Sequence, residues 1–318
     1  MSQTINAGLD IGYGQVKCHA YKSEPFVFPA HTALVSDTGM LTPDARARLI
    51  TLDGQSYLVG EDARQVRDVR ETHIDSDRIC SIDFKLLGMY ALRRLGGHRI
   101  NVTMGLPVRD FTRHRPTLES VVEEWNCHDT KVHLHRVVPQ PLGTFVDLAT
   151  RLSSDEVRGF EQGKVAIIDI GYGTTDLIEI NENQFNPNSH ATDSFAVSTA
   201  MKLIRNQLLI RHNAEFEITE IPKIVEQGEF TSKGKPVQIG RIISEAKRHV
   251  VVNTVAVARR LWGNLHTFRY IIVTGGGAEF LRSELSQHIP AEQLLIPDQP
   301  EYSNVSGFMK LTVSTNEL

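Results

Sequence analysis

Asp10-Ile11-Gly12-Tyr13-Gly14 recurs half a chain later as Asp169-Ile170-Gly171-Tyr172-Gly173. Each copy follows an apolar lead, Ala7 and Leu9 in the first and Val165-Ala166-Ile167-Ile168 in the second. Each runs on into alternating residues, Gln15–Ala20 and Thr174–Ile180. Alternation on both sides of a glycine turn predicts a β-hairpin in each half. The same hairpin, met twice at this separation, predicts two related domains.

The 318 residues carry a net charge of -4, with 41% hydrophobic and 23% charged residues. That mixture belongs to a soluble globular protein and excludes a disordered or fibrous one. The length suits about two domains. The charge balance excludes a generally basic nucleic-acid coat, so direct DNA binding is not expected. Cys18, Cys80 and Cys127 are far apart and without metal-ligand spacing, and read as reduced thiols. Asp10 falls where a signal peptide would be apolar, and no apolar run approaches the roughly 20 residues of a membrane span. A cytoplasmic protein with no direct membrane contact is expected.

The glycines of the repeated turn suggest the chemistry. A turn without Cβ atoms can point successive backbone N–H groups outward, a nest suited to phosphate. Asp10 and Asp169, at the two turn entrances, would then face the same anion. Carboxylates beside phosphate make sense around a hydrated Mg²⁺, which keeps its waters and accepts such partners. A third glycine cluster comes late. Tyr270–Val273 reads as a buried strand, Thr274-Gly275-Gly276-Gly277 follows, and Ala278–Leu285 reads as an amphipathic helix. Strand, glycines and helix N-terminus allow close backbone approach to a ligand, although three glycines are equally an ordinary flexible turn. Neither a Walker A loop nor a Rossmann fingerprint occurs.

Taken in order, D-I-G-Y-G, D-I-G-Y-G-T-T-D and V-T-G-G-G-A-E resemble the phosphate 1, phosphate 2 and adenosine motifs of the actin/DnaK/sugar-kinase ATPase superfamily. The resemblance runs from residue 9 to about 309 and is closest to the actin-like ATPases of the ParM/StbA plasmid-segregation group. Gly105-Leu106-Pro107 after the strand Ile100–Met104, and the hairpin across Asp53-Gly54, support it. It implies an α/β, actin-like fold: two related domains, each with a small inserted subdomain, and a nucleotide cleft between them. It assigns residues 1–24 and 76–160 to domain I, with an insertion at 25–75. Residues 161–200 and 263–318 form domain II, with a helical insertion at 201–262.

The resemblance also implies roles. Asp10 and Asp169 would hold Mg²⁺ through water. Gly12, Tyr13, Gly14 and Gln15, then Lys17, would bind phosphate from the first half; Gly171, Tyr172, Gly173, Thr174 and Thr175 would bind it from the second. Lys17 reads equally as a solvent-facing strand lysine. Gly275, Gly276, Gly277 and Glu279 would line the nucleoside. Glu245, Lys247 and Arg248 would flank the base, or form a solvated helix face. Val138–Gly143 resembles the first interdomain connection, where a Gln or Glu positions the attacking water; Gln140 fits, since an amide both donates and accepts. Ser303–Met309 resembles the second connection. The cofactors implied are ATP or GTP with Mg²⁺, and the partners are further copies of the chain in a filament and a DNA-binding adaptor.

Other architectures of this fold would read differently. A small-molecule kinase needs an aspartate beside an acceptor pocket, and none stands out. A chaperone-type ATPase needs a substrate domain, and little sequence follows Gly307. Elsewhere, Phe84–Leu95 and Thr117–Trp125 read as helices, as do Met201–Leu209 and Ile242–Leu261. Trp125 and Trp262 read as packing anchors, His133 and His135 as solvated histidines, and the basic run Arg109–Arg115 as solvated surface or a contact for an acidic partner.

Overall fold

The structure is a computed structural model that describes residues 4–66, 69–71, 76–125, 130–151, 158, 160 and 162–313. Contacts divide the chain into two units: Met1–Ser153 with Tyr302–Leu318, and Ser154–Glu301.

In the first unit the opening hairpin is β1 (Thr4–Ile11) and β2 (Gln15–Ala20), and β3 (Phe26–Pro29) pairs along β2. The strands β4 (His31–Val35), β5 (Ile50–Leu52), β6 (Gln55–Val59) and β7 (Val69–Glu71) form a separate sheet in the order β5-β6-β4-β7. Helix α1 (Pro43–Ala47), capped by Thr42, gives that sheet the small core of Ala33, Val35, Ala45, Leu58 and Ala63. Asp53 (φ 52°) and Gly54 (φ 75°) both take the left-handed backbone that a two-residue hairpin turn needs. Helix α2 (Ile82–Leu95) starts on the Ser81 hydroxyl and ends on Gly96 at φ 68°. Then come β8 (Arg99–Leu106), α3 (Val108–Glu123), β9 (Lys131–Pro139) and α4 (Gln140–Ala149). The main sheet has the order β3-β2-β1-β8-β9. Its core gathers Leu9, Val16, Phe28, Leu87, Leu118 and Trp125.

The second unit has the hairpin β10 (Lys164–Ile170) and β11 (Thr175–Asn181), extended by β12 (Gln184–Asp193). Helices α5 (Val197–His212) and α6 (Ile221–Gln227) lead to a hairpin of β13 (Glu229–Ser232) and β14 (Lys235–Gln238). The long α7 (Gly240–Trp262), β15 (Tyr270–Thr274), α8 (Gly276–Leu285) and the short β16 (Leu294–Leu295) complete it. Its sheet order, β12-β11-β10-β15-β16, repeats the first sheet strand for strand. In both, the hairpin is antiparallel and the next two pairings are parallel. The repeated pentapeptide therefore marks a repeated sheet.

The last helix, α9 (Ser303–Thr312), packs with the first unit. Two boundaries therefore differ from the sequence expectation. Residues from Tyr302 leave the second unit, because Val305 and Phe308 are fully buried over β1 and α4. Ser303–Met309, the expected second connection, is helical. The first insertion starts at His31 rather than residue 25, because Phe28, 1% exposed, is held in the main core by an edge-on contact with Tyr90. The expected helical insertion also contains the β13–β14 hairpin, turning on Lys233 and Gly234 at φ 51° and 76°. Among the described residues, no helix is long and apolar enough to cross a membrane.

Cys18 sits fully buried on β2, and burial pushes its thiol up to about 12. Such a thiol holds almost no thiolate at pH 8 and is inert. Cys80 is exposed; Cys127 lies outside the described residues. In a Cys127→Ser background, Ellman's reagent should titrate one thiol in the native protein and two in denaturant. Fast native labelling of both would contradict the buried β2.

Candidate functional site

The first half of the site grows from the end of β1. Gly12 N–H donates to the Gln15 carbonyl at 2.9 Å, and Ala30 N–H donates to the Gly14 carbonyl at 3.0 Å. A Cβ on Gly12 would stand 2.8 Å from the Gln15 oxygen, so the turn closes only with glycine there. The second turn is built the same way: Gly171 N–H donates to the Thr174 carbonyl at 2.9 Å. Gly12 and Gly171 thus spend their own N–H groups across the turn. The first turn of α5 braces the second site, with Val197 and Ser198 N–H donating to the carbonyls of Gly171 and Tyr172 at 3.2 and 2.8 Å. Helix N-terminal donors that would otherwise be orphaned are thereby satisfied.

Asp10 is 5% exposed and lies directly opposite Lys17 in the β1–β2 register, so both side chains share a face. Gln140, the first residue of α4, donates its Nε2 to Asp10 Oδ1 at 2.8 Å. Pro139 ends β9 and delivers the amide there. The structure thus brings together Asp10, Lys17, Gln140 and the Gly12–Gln15 turn. It adds Arg78, which sequence reasoning did not single out. Arg78 comes from the short 3-10 turn Ser76–Cys80 and donates Nη2 to the Ile11 carbonyl. Its guanidinium lies 4.2 Å from the Tyr13 ring centroid. Burial pulls the Arg78 pKa down, while Tyr13 and Asp10 push it back up. A lone arginine in a polar stretch gives no periodic signal by which it could have been found.

In the second unit, Asp169 is 7% exposed and pairs across the hairpin with Asp176, itself 2% exposed. Thr192 Oγ1 donates to Asp176. Two acids directly opposite on paired strands repel. Gly275, at φ 83°, passes so close that a Cβ there would be 2.3 Å from Asp169 Oδ1. Its N–H and the Thr274 hydroxyl both donate to the Pro300 carbonyl, at 3.1 and 3.0 Å. A Cβ on Gly277 would be 2.6 Å from the Ile170 side chain. Gly275 and Gly277 are therefore demanded by packing against the end of β10, and only Gly276 of the three opens to space.

The remaining predicted residues scatter more. Thr175 is buried and donates its hydroxyl to the Phe195 carbonyl at 2.6 Å. Lys247 Nζ lies 4.5 Å from the Phe280 ring centroid, which places it beside α8. Glu245 is taken by Arg211 and Arg241, at 2.6 and 2.9 Å, and those hydrogen bonds hold its carboxyl below the usual range. Glu279 is likewise taken by Arg282 at 2.7 Å. Arg248 is exposed on α7. Nothing in these contacts directs Glu245 or Glu279 to a nucleoside.

The donor set suits magnesium. Among the described residues, no group of three or more His, Cys, Asp or Glu could form a metal cage. Mg²⁺ does not need one: it binds through one or two carboxylates and keeps its waters. The opposed, buried Asp169 and Asp176 of the second unit are the kind of pair that a cation would relieve; in the first unit, Asp10 is a carboxylate already held by an amide.

Known proteins share this architecture. The archaeal actin homolog of Thermoplasma volcanium is 21% identical over 95% of this chain and 96% of its own length. A ParM filament structure from Clostridium botulinum matches with a TM-score of 0.78 at 20% identity, covering 97% of this chain and 98% of that one. An archaeal actin homolog solved in complex with ADP matches with a TM-score of 0.74 at 18% identity, over 96% and 98%. Residues 8–143 match the family described as actin like proteins N terminal domain, and residues 167–287 match archaeal actin homologue MreB-like, C-terminal. The duplicated hairpin sheets and these two family matches agree: the chain belongs to the actin-like protein family and has the actin-like fold.

Proposed function

We propose that this protein is an actin-like ATPase that binds ATP with Mg²⁺ and assembles into nucleotide-dependent filaments. The single observation that carries the reading is the duplicated turn. In each unit a buried aspartate is the penultimate residue of the central strand, and a glycine N–H just beyond the strand closes the same hydrogen bond to the carbonyl three residues on. In the first unit Gly12–Gln15 with Lys17 would hold phosphate, and in the second Gly171–Thr175 would. Gly276 at the open start of α8, with Lys247 nearby, serves the nucleoside. A bound Mg²⁺ would neutralise phosphate charge, and the carboxylates that would hold it through water are Asp10 in the first unit and Asp169 in the second. Gln140 uses its Nε2 on Asp10, which orients its amide to position the attacking water. GTP is the alternative nucleotide, distinguished only by direct comparison.

A nucleotide biases conformation only by contacting two states differently, and loss of the terminal phosphate changes the contacts available to a phosphate-binding turn. A head-to-tail contact that does not close a ring makes a filament. The Clostridium botulinum ParM filament supports assembly for this chain, and the ADP complex of the archaeal homolog supports nucleotide binding. DNA segregation through a DNA-binding adaptor is the cellular role that fits best. Light scattering and sedimentation with ATP, GTP, ADP and a non-hydrolysable analogue, alongside phosphate release, test this. Absence of polymer with any triphosphate across a wide concentration and salt range would remove the filament claim. Gln140→Ala should slow phosphate release by about 10- to 100-fold while sparing ATP affinity, leaving polymer that persists. Unchanged release would remove Gln140 from its role.

A further inference from the structure

The first turn contains a charge that the motifs do not explain. Arg78 is anchored on the turn itself: Nη2 donates to the carbonyl of Ile11, and the guanidinium carbon lies 4.2 Å from the Tyr13 ring centroid. The Phe84 ring of α2 is also near, its centroid 5.4 Å away. Nη1 is buried and, among the described residues, has no hydrogen-bond partner. A guanidinium carries five donors and cannot discharge. Leaving two of its N–H groups dry is costly, more so for a charged donor than a neutral one. Asp10 offsets part of the charge from nearby, but among the described residues no group accepts from Nη1. An anion delivered to the Gly12–Gln15 turn would supply that missing acceptor.

We propose that Arg78 is a phosphate-reading residue, whose unpartnered Nη1 donates to the polyphosphate of a nucleotide held at the Gly12-Tyr13-Gly14 turn. The inference rests on the reading of that turn as a phosphate site. It deepens that reading by giving the first unit a fixed positive charge inside the turn, beside the carboxylate of Asp10. Arginine suits the position where lysine would not, because the same planar group lies beside Tyr13, holds a carbonyl and keeps a further N–H pair for phosphate. Arg78 also follows the small sheet in the chain and precedes the Ser81 cap of α2. Its phosphate contact therefore acts at the point where the inserted sheet rejoins the main fold.

The experiment measures ATP and adenosine affinity, by titration and by competition, for the wild type, Arg78→Gln and Arg78→Lys. Melting without nucleotide is recorded for each. Arg78→Gln should weaken ATP by about 10- to 100-fold, the scale of one charge-assisted hydrogen bond, and leave adenosine unchanged. Arg78→Lys should recover part of the loss, since charge returns without the fork. As a measurement independent of the variants, the Arg78 guanidinium resonances of the wild type should shift on adding ATP and not on adding adenosine. Equal weakening of ATP and adenosine would make Arg78 a brace only and overturn the proposal. So would unchanged ATP affinity in Arg78→Gln. A wild type that binds no nucleoside triphosphate would overturn the phosphate site and Arg78 together, whereas a wild type that binds ATP beside an unaffected variant overturns Arg78 alone.

Discussion

Asp169→Ala abolishes phosphate release, lowering it by on the order of 100-fold or more, while the protein melts no lower than the wild type. The two halves of this expectation come from one geometry. Asp169 is the penultimate residue of β10, with 7% of its surface exposed, and its register partner on β11 is Asp176, exposed by 2%. Opposed carboxylates destabilise a hairpin that lacks a cation. Removing one relieves that repulsion, so metal-free stability holds or rises. On the proposed reading the same substitution removes a carboxylate that would hold hydrated Mg²⁺, and electrostatic stabilisation of transferring phosphate is commonly worth two or more decades in rate. Asp169→Asn keeps the shape against Gly275 and loses the charge, so it should behave like alanine in turnover. Phosphate release that survives in both variants would show that Asp169 plays no part in the chemistry. A collapse of melting temperature in both would show instead that the side chain is a packing element.

How much of this was legible in the sequence depended on range. The two hairpins could be read because an identical pentapeptide interrupts alternating residues, and because the turn bond from glycine N–H to a carbonyl three residues on is local. The α2 helix was legible to within two residues, having a serine cap and a glycine stop. By contrast, α3 starts at Val108, well before the expected Thr117, and Pro116 lies inside it. The basic run Arg109–Arg115 occupies its first turns and masks a sparse apolar face of Val108, Leu118 and Val122. Arg109 and Arg115 are held locally, by Asp110 at 3.2 Å and Glu119 at 2.8 Å. The strand β12 was missed because Pro187 and polar residues dominate it, as an edge strand permits. At the site, Asp10 was readable from its motif, but its bond with Gln140 joins residues far apart in the chain. Arg78 and the return of α9 to the first unit are wholly long-range facts. No local pattern encodes which surface a short helix will choose.

That return of α9 gives the largest effect on stability. Gly307→Ala should destabilise the first unit by about 3 kcal/mol or more, the upper range for overpacked interiors. The sign is the informative part. Gly307 lies inside α9, where alanine ordinarily stabilises a helix by about 1 kcal/mol over glycine. Here a Cβ would meet the Gly143 carbonyl oxygen at 1.8 Å and its carbon at 2.5 Å. The obstacle is backbone, so no rotamer change removes it. From the other side, a Cβ on Gly143 would lie 2.3 Å from the Asn304 carbonyl oxygen. The two helices thus cross with glycine against glycine, and a Cβ on Gly8 of β1 would strike the Val305 carbonyl at 2.2 Å. Three glycines let α9 lie flat on α4 and β1, which buries Val305 and Phe308 fully. A bond between Thr144 Oγ1 and Asn304 Oδ1 at 2.7 Å, and one from Lys310 Nζ to the buried Asp147 at 2.9 Å, depend on that approach. Because α4 begins with Gln140, lifting α9 should also loosen the amide that orients Asp10. Phosphate release should therefore fall in Gly307→Ala even below its melting temperature. Gly240→Ala is the control: it also lies in a helix, with nothing within 4 Å of the added carbon. Denaturant unfolding of both variants decides the matter. A Gly307→Ala protein as stable as the Gly240→Ala control would mean that α9 does not sit on glycine backbone at all.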